Sequence, residues 1–353
     1  MAHFGFPLET IAIFFGAIAL SVFMDLFAHR KAKAITVLDA GLWSGFWISL
    51  ALAFYGYLWL RFDKQWADLY LAGWALEKSL SIDNLMVFMA IFASFGIRGA
   101  LQHRILYWGI IGALVFRALF VAAGTGLFHL APWIGFGFAA IVAWSGWKML
   151  RSGDDDEEIT DYSHHWSVKM TEKVMPVFPR LHAERFFVTR AIVKDLVSAD
   201  SSIRTAKSAA LFATPAFLCL MAIETSDIMF AFDSVPAVIA VTQEPLLVYA
   251  AMIFAVLGLR SLYFVLAALT QYLVHLEKAV IALLFFIAFK LTLQSGEHVF
   301  GWDFLHISPN ASLLIVLGTL AAGVVASFIW PEKEDEAPGE DGSTGEDKSK
   351  DAV

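Results

Sequence analysis

The run from 223 to 236 reads Ile-Glu-Thr-Ser-Asp-Ile-Met-Phe-Ala-Phe-Asp-Ser-Val-Pro, and it sets three carboxylates, Glu224, Asp227 and Asp233, inside an apolar stretch long enough to cross a bilayer. A counterpart lies earlier, where 77–88 reads Glu-Lys-Ser-Leu-Ser-Ile-Asp-Asn-Leu-Met-Val-Phe and adds Glu77, Asp83, Lys78, Ser79, Ser81 and Asn84 to another hydrophobic segment. A carboxylate at the centre of a bilayer costs about 3 kcal/mol on insertion scales. Five of them disfavour insertion unless something neutralises them, and the simplest neutraliser of clustered carboxylates is a cation.

Composition places the rest of the chain in the same environment. Of 353 residues, 59% are hydrophobic and only 16% charged, where soluble domains run near a quarter charged; the mean hydropathy is +0.66. The net charge of -8 resides largely in the acidic run 154–158 and the end after Trp330, so it argues against a nucleic-acid partner. The single cysteine, Cys219, excludes an internal disulfide or a thiolate cage and reads as a core residue. No cleavable signal peptide is expected at the amino terminus.

Apolar runs close to the roughly 20 residues that a helix needs to span a membrane fall at 8–27, 42–60, 71–95, 105–126, 133–150, 209–232, 246–269, 279–293 and 311–330. The fold class expected is therefore an all-α polytopic bundle of about nine transmembrane helices. Arg30, Lys31, Lys33, Arg98, Arg104, Arg151 and Lys278 fall on one side and only Arg61 and Lys64 on the other. The positive-inside rule then sets the amino terminus outside and the carboxyl terminus in the cytoplasm. Residues 1–150 hold the first five spans, 151–208 form a cytoplasmic loop, 209–330 hold the last four spans, and 331–353 make a disordered acidic tail. His164 and His165 in the loop have no second pair at ligand spacing and read as solvated.

Spans one to three and four to six each contain an odd number of crossings, so the halves have opposite orientations, with both acidic motifs on a third helix. That is the layout of a 3+3 inverted repeat followed by three further helices, with a substrate site at the midplane. Ser81-Ile-Asp-Asn-Leu-Met86 can be laid on Thr225-Ser-Asp-Ile-Met229, a short match.

On a helix Glu224 and Asp227 share a face. Asp233 lies half a turn round, unless Pro236 breaks or kinks the helix and swings Asp233 and Ser234 back toward the other acids. The candidate ligands are all oxygens, which suits hard divalent cations such as Mn²⁺, Ca²⁺ or Mg²⁺ rather than zinc or copper. Met86 and Met229 read as core, with a thioether ligand as the lesser alternative. Set against this is a structural reading in which the acids pair with intramembrane bases. Arg117 sits deep enough to need an acid, while Lys148, Lys290 and Arg260 can snorkel to an interface. Asp25 lies near the inner end of the first helix, where an interfacial acid is tolerable.

Glu77-Lys-Ser-Leu-Ser-Ile-Asp-Asn84, Glu224-Thr-Ser-Asp-Ile-Met-Phe-Ala-Phe-Asp-Ser-Val-Pro236 and Gly258-Leu-Arg260-Ser-Leu-Tyr263 resemble the signature blocks of the TerC family of integral membrane proteins, including its Alx-type members. The resemblance runs from the first helix to the ninth and leaves out only the tail. It implies a helical membrane protein related to LysE-type exporters, associated with Mn²⁺ efflux and with tellurite resistance. It also implies that Glu77, Asp83, Glu224, Asp227 and Asp233 are the functional acids; the residues around them add Ser79, Asn84, Ser226 and Ser234 as neutral ligands, with Arg117 and Asp25 in support. The loop is longer than the family pattern.

The expectation is thus a cytoplasmic-membrane exporter of Mn²⁺, with Ca²⁺ or Mg²⁺ as alternatives. Its partners are the ion, the lipid bilayer and protons as the coupling ion, whose entry from outside would discharge the carboxylates and release the metal. No bound cofactor and no enzymatic activity are expected, since no nucleophile constellation occurs in the helices. The competing expectation is a membrane scaffold in assembly or stress response, its acids locked in ion pairs.

Overall fold

The computed structural model describes residues 6–28, 36–131, 133–152, 165–182, 185–199, 209–242, 244–269, 275–302 and 307–330. The acidic run 154–158, His164 and the tail 331–353 lie outside the described residues, as do the side chains of Asp25 and Asp83, whose backbones are helical.

Among the described residues there are twelve helices: α1 (Leu8–Ala28), α2 (Val37–Arg61), α3 (Lys64–Ser94), α4 (Ala100–Leu130), α5 (Ile134–Ser152), α6 (Trp166–Val174), α7 (Arg190–Ala199), α8 (Pro215–Thr242), α9 (Pro245–Val256), α10 (Leu259–Leu269), α11 (Leu276–Phe300) and α12 (Pro309–Ile329). Local sequence starts several of them. Thr36 accepts the Asp39 N–H at the head of α2, Asp63 accepts from Trp66 at the head of α3, and Ser308 accepts from Ala311 ahead of Pro309 in α12.

Helix occurs at all nine places where a span was expected. By length and apolarity α2, α4, α8 and α12 can each cross a membrane, and α9 with α10 makes a fifth, broken crossing or a re-entrant pair. In α3, Glu77, Lys78 and Asp83 interrupt the apolar stretch with charge.

Three details depart from the sequence reading. The span drawn at 209–232 is displaced: Leu211–Ala213 is strand β2, paired antiparallel with β1 (Phe187–Thr189), and helix begins only at Pro215. Thr214 ends the strand by donating its hydroxyl to the Arg185 and Phe186 carbonyls at 2.7 and 3.1 Å. Secondly, Pro236 does not break α8, which continues to Thr242. The roughly 3 kcal/mol that an interior proline costs is outweighed by packing, because every residue from 234 to 242 is buried. Thirdly, the span at 246–269 is not one helix. It bends by 49° between α9 and α10 at Gly258, whose φ of +80° suits a residue without a side chain. A Cβ there would also overlap the Trp47 ring.

Within the bundle α3 packs against α8, α9 and α12, α4 against α8, and α5 against α11. Helices α3 and α8 run antiparallel. Thr242 at the end of α8 donates to the Leu69 carbonyl near the start of α3 at 3.3 Å, and Leu218 and Ala222 near the start of α8 share a core with Leu85 and Phe92 near the end of α3. The loop carries its own small core, Phe178, Val188, Val193 and Phe212. It docks onto the bundle through Val168 and Phe186, with Arg104 of α4 over the Phe186 ring at 5.0 Å.

Candidate functional site

Arg117 sits where α3, α4 and α8 meet. It is 2% exposed, and so deep a guanidinium needs anionic partners. Its Nε and Nη2 donate to Asp227 Oδ2 and Oδ1 at 3.3 and 2.9 Å, a two-pronged clamp. Its Nη1 donates to Glu77 Oε1. One cation of α4 thus ties α3 to α8. Glu77 is 0% and Asp227 3% exposed, so both acids are withdrawn from water and lipid alike.

The clamp does not use every oxygen. Glu77 Oε2 is buried without a hydrogen-bond partner, although Ser81 Oγ reaches Oε1 at 3.5 Å. Glu224, one turn before Asp227 and within its electrostatic reach, also has a buried Oε2 without a partner. Its carboxylate lies against Gly112 of α4, where a Cβ would overlap it.

Asp233 is not part of this cluster. Because α8 is continuous through Pro236, Asp233 faces Ser145 and Lys148 of α5 instead. The expected return of Asp233 and Ser234 toward the other acids therefore does not occur. Ser79, Asn84 Nδ2 and Ser234 are buried with no partner for those polar atoms, whereas Ser226 spends its hydroxyl on the Ala222 carbonyl of its own helix at 2.9 Å. Met229 is 48% exposed and turns away from the acids, and Met86 packs against the second core. Among the described residues no three His, Cys, Asp or Glu side chains gather as a ready metal cage; the place where Glu77 and Asp227 converge is held by Arg117.

Residues 62–335 match the profile of the Integral membrane protein TerC family. A tellurium resistance protein TerC from Serratia marcescens is 51% identical over 335 residues, covering 94% of this chain and 96% of the relative. The chain belongs to the TerC family. Its TerC relatives include a second tellurium resistance protein, from Alcaligenes sp, 50% identical over 94% of this chain and 96% of the relative. Alx of Escherichia coli (strain K12), a proposed membrane-bound redox modulator, is 33% identical over 86% of this chain and 88% of its own. No solved structure matches the chain.

Two features of this TerC-family core were not drawn from sequence. Lys78, the base inside the first acidic segment, does not pair with an acid among the described residues: its Nζ donates to the Ala255 and Leu257 carbonyls at 2.9 and 3.4 Å. Those oxygens are freed by the break after α9, where a helix C-terminus attracts a cation. Gly258 inside an apolar run was the available signal. Lys290 and Arg260, expected to reach an interface, are instead 3% and 4% exposed, held in by the packing of α11 and α10, while Lys148 is exposed as expected.

Proposed function

We propose that this chain exports a divalent cation, Mn²⁺ in the first instance, across the cytoplasmic membrane, with its amino terminus outside and its carboxyl terminus in the cytoplasm. The observation that carries this reading is the convergence of Glu77 and Asp227 on one arginine in the interior of the bundle, with Glu224 one turn before Asp227 and an unpartnered oxygen on each of Glu77 and Glu224. With all four groups ionised, three carboxylates and one guanidinium leave a double negative charge, which a divalent ion balances. Carboxylate, hydroxyl and amide oxygens are the donors that Mn²⁺, Ca²⁺ and Mg²⁺ accept. Asp233 supplies a second acidic station beside Ser145, and Asp83 lies on the same helix as Glu77. Protons are the proposed coupling ion, since protonating a carboxylate removes its hold on a metal. The tellurium resistance named for the TerC relatives agrees with handling a toxic ion, and no catalytic step is needed.

The test is Mn²⁺ flux into proteoliposomes, with Ca²⁺ and Mg²⁺ as competitors, for wild type, Asp83→Asn and Glu224→Gln. Flux abolished in well-folded variants is expected. Absence of wild-type flux under any ion or pH gradient sinks the reading. A second reading, a non-transporting scaffold, is favoured by one observation: Arg117 already satisfies acids from two helices. It predicts variants that are less stable rather than inactive.

A further inference from the structure

We propose that Arg117 is a tethered competitor of the cargo: its guanidinium holds Glu77 and Asp227, and a divalent cation ligates those acids only by displacing it. The inference deepens the transport reading above and rests on it.

The competitor cannot be switched off by losing a proton, because arginine stays charged inside proteins. It can leave the two acids only by moving. The fork takes Glu77 Oε1 and both Asp227 oxygens, which are the same lone pairs a hard cation would claim. A buried ion pair built only to hold helices together is stable when the remaining lone pairs are also satisfied. Here Glu77 Oε2 is left bare within a side chain that is 0% exposed. That oxygen gives an entering ion a first ligand without disturbing the clamp. Like-charge repulsion then loosens Arg117 from the other three. The guanidinium also has somewhere to go, since Glu224, one turn along α8 from Asp227, keeps an unpartnered buried oxygen. Exchange of this kind leaves Arg117 beside a carboxylate in both states and makes release as natural as capture: when Arg117 returns, it expels the ion.

The experiment uses full-length protein purified in lipid nanodiscs for Mn²⁺ binding and thermal stability, and proteoliposomes for flux. In Arg117→Lys the ammonium lacks the planar fork that grips both Asp227 oxygens and Glu77 at once, so Mn²⁺ binds on the order of tenfold more tightly while turnover slows. Arg117→Gln melts below wild type without Mn²⁺ and is raised by Mn²⁺ more than wild type is, a response that a purely structural arginine does not produce. If Arg117→Gln does not fold, Arg117→Lys decides alone. Wild-type transport together with variants that bind Mn²⁺ no more tightly overturns this inference and leaves transport standing. A wild type that neither binds nor moves Mn²⁺ overturns both.

Discussion

Gly112 of α4 fixes the position of the Glu224 carboxylate by lacking a side chain: a Cβ there would overlap both carboxylate oxygens and the carbon that bears them. The first prediction follows from this fit. Gly112→Ala pushes the carboxylate aside and lowers Mn²⁺ affinity on the order of tenfold, and Gly112→Ala with Glu224→Asp, whose carboxylate is one methylene shorter, recovers much of it. Isothermal titration on the purified variants checks both, and unchanged affinity in the single variant refutes the positioning role.

Removing one acid of the clamp strands charge. Glu77→Gln is expected to cost about 3–5 kcal/mol of stability, as for other broken buried pairs. Replacing all three groups together, as Glu77→Gln, Arg117→Met and Asp227→Asn, returns most of that stability while abolishing flux. Denaturant unfolding in mixed micelles measures the difference. A triple variant less stable than Glu77→Gln contradicts the argument.

The break after α9 is held from two sides. Gly258→Ala forces a side chain into the left-handed region, at about 1–2 kcal/mol, and against Trp47 as well. Lys78→Met deprives the Ala255 and Leu257 carbonyls of their donor, at about 1–3 kcal/mol. Both variants should lower the melting temperature, and a wild-type melt for Lys78→Met would show that water or lipid replaces the ammonium.

The loop should respond to acid. Burial holds the His165 pKa below its ordinary 6.5, so the docked loop favours the neutral ring, which contacts Ser167 Oγ at 2.8 Å. The stabilisation is present above that ordinary value and is lost as pH falls below it. A positive charge at the head of α6 is unfavourable for the helix as well. Limited proteolysis of the loop should be faster at about pH 5.5 than at about pH 7.5, and His165→Gln should remove the difference. Equal cleavage of the wild type at both values refutes it.

Helix positions and the pairing of the two acidic segments could be read from sequence because apolar length and charge rarity are properties of each segment alone. Arg117 could be read as needing an acid for the same reason. Which acid it finds could not, because Glu77 and Asp227 are 40 and 110 residues away and the choice is made by how α3, α4 and α8 pack. Pro236 misled for a related reason: its local rule is sound, but burial of the turn around it overrides the rule. The role of Lys78 was hidden because its acceptors are backbone carbonyls, which every residue carries and only a break exposes.

The partners of α3 also set a timetable. Lys78 waits for carbonyls 177 and 179 residues downstream, and Glu77 waits 40 residues for Arg117. During synthesis α3 emerges with Glu77 and Lys78 before either has its native partner, which makes its release into lipid unfavourable. The helix is therefore expected to linger at the insertion machinery until α4, and finally α9, have been made. A crosslinking probe placed on α3 should keep contact with the translocon through chain lengths at which α2 has already left it. The ion pairs and the capped break thus act as a delayed lock, in which helices synthesised later admit an early one to the membrane.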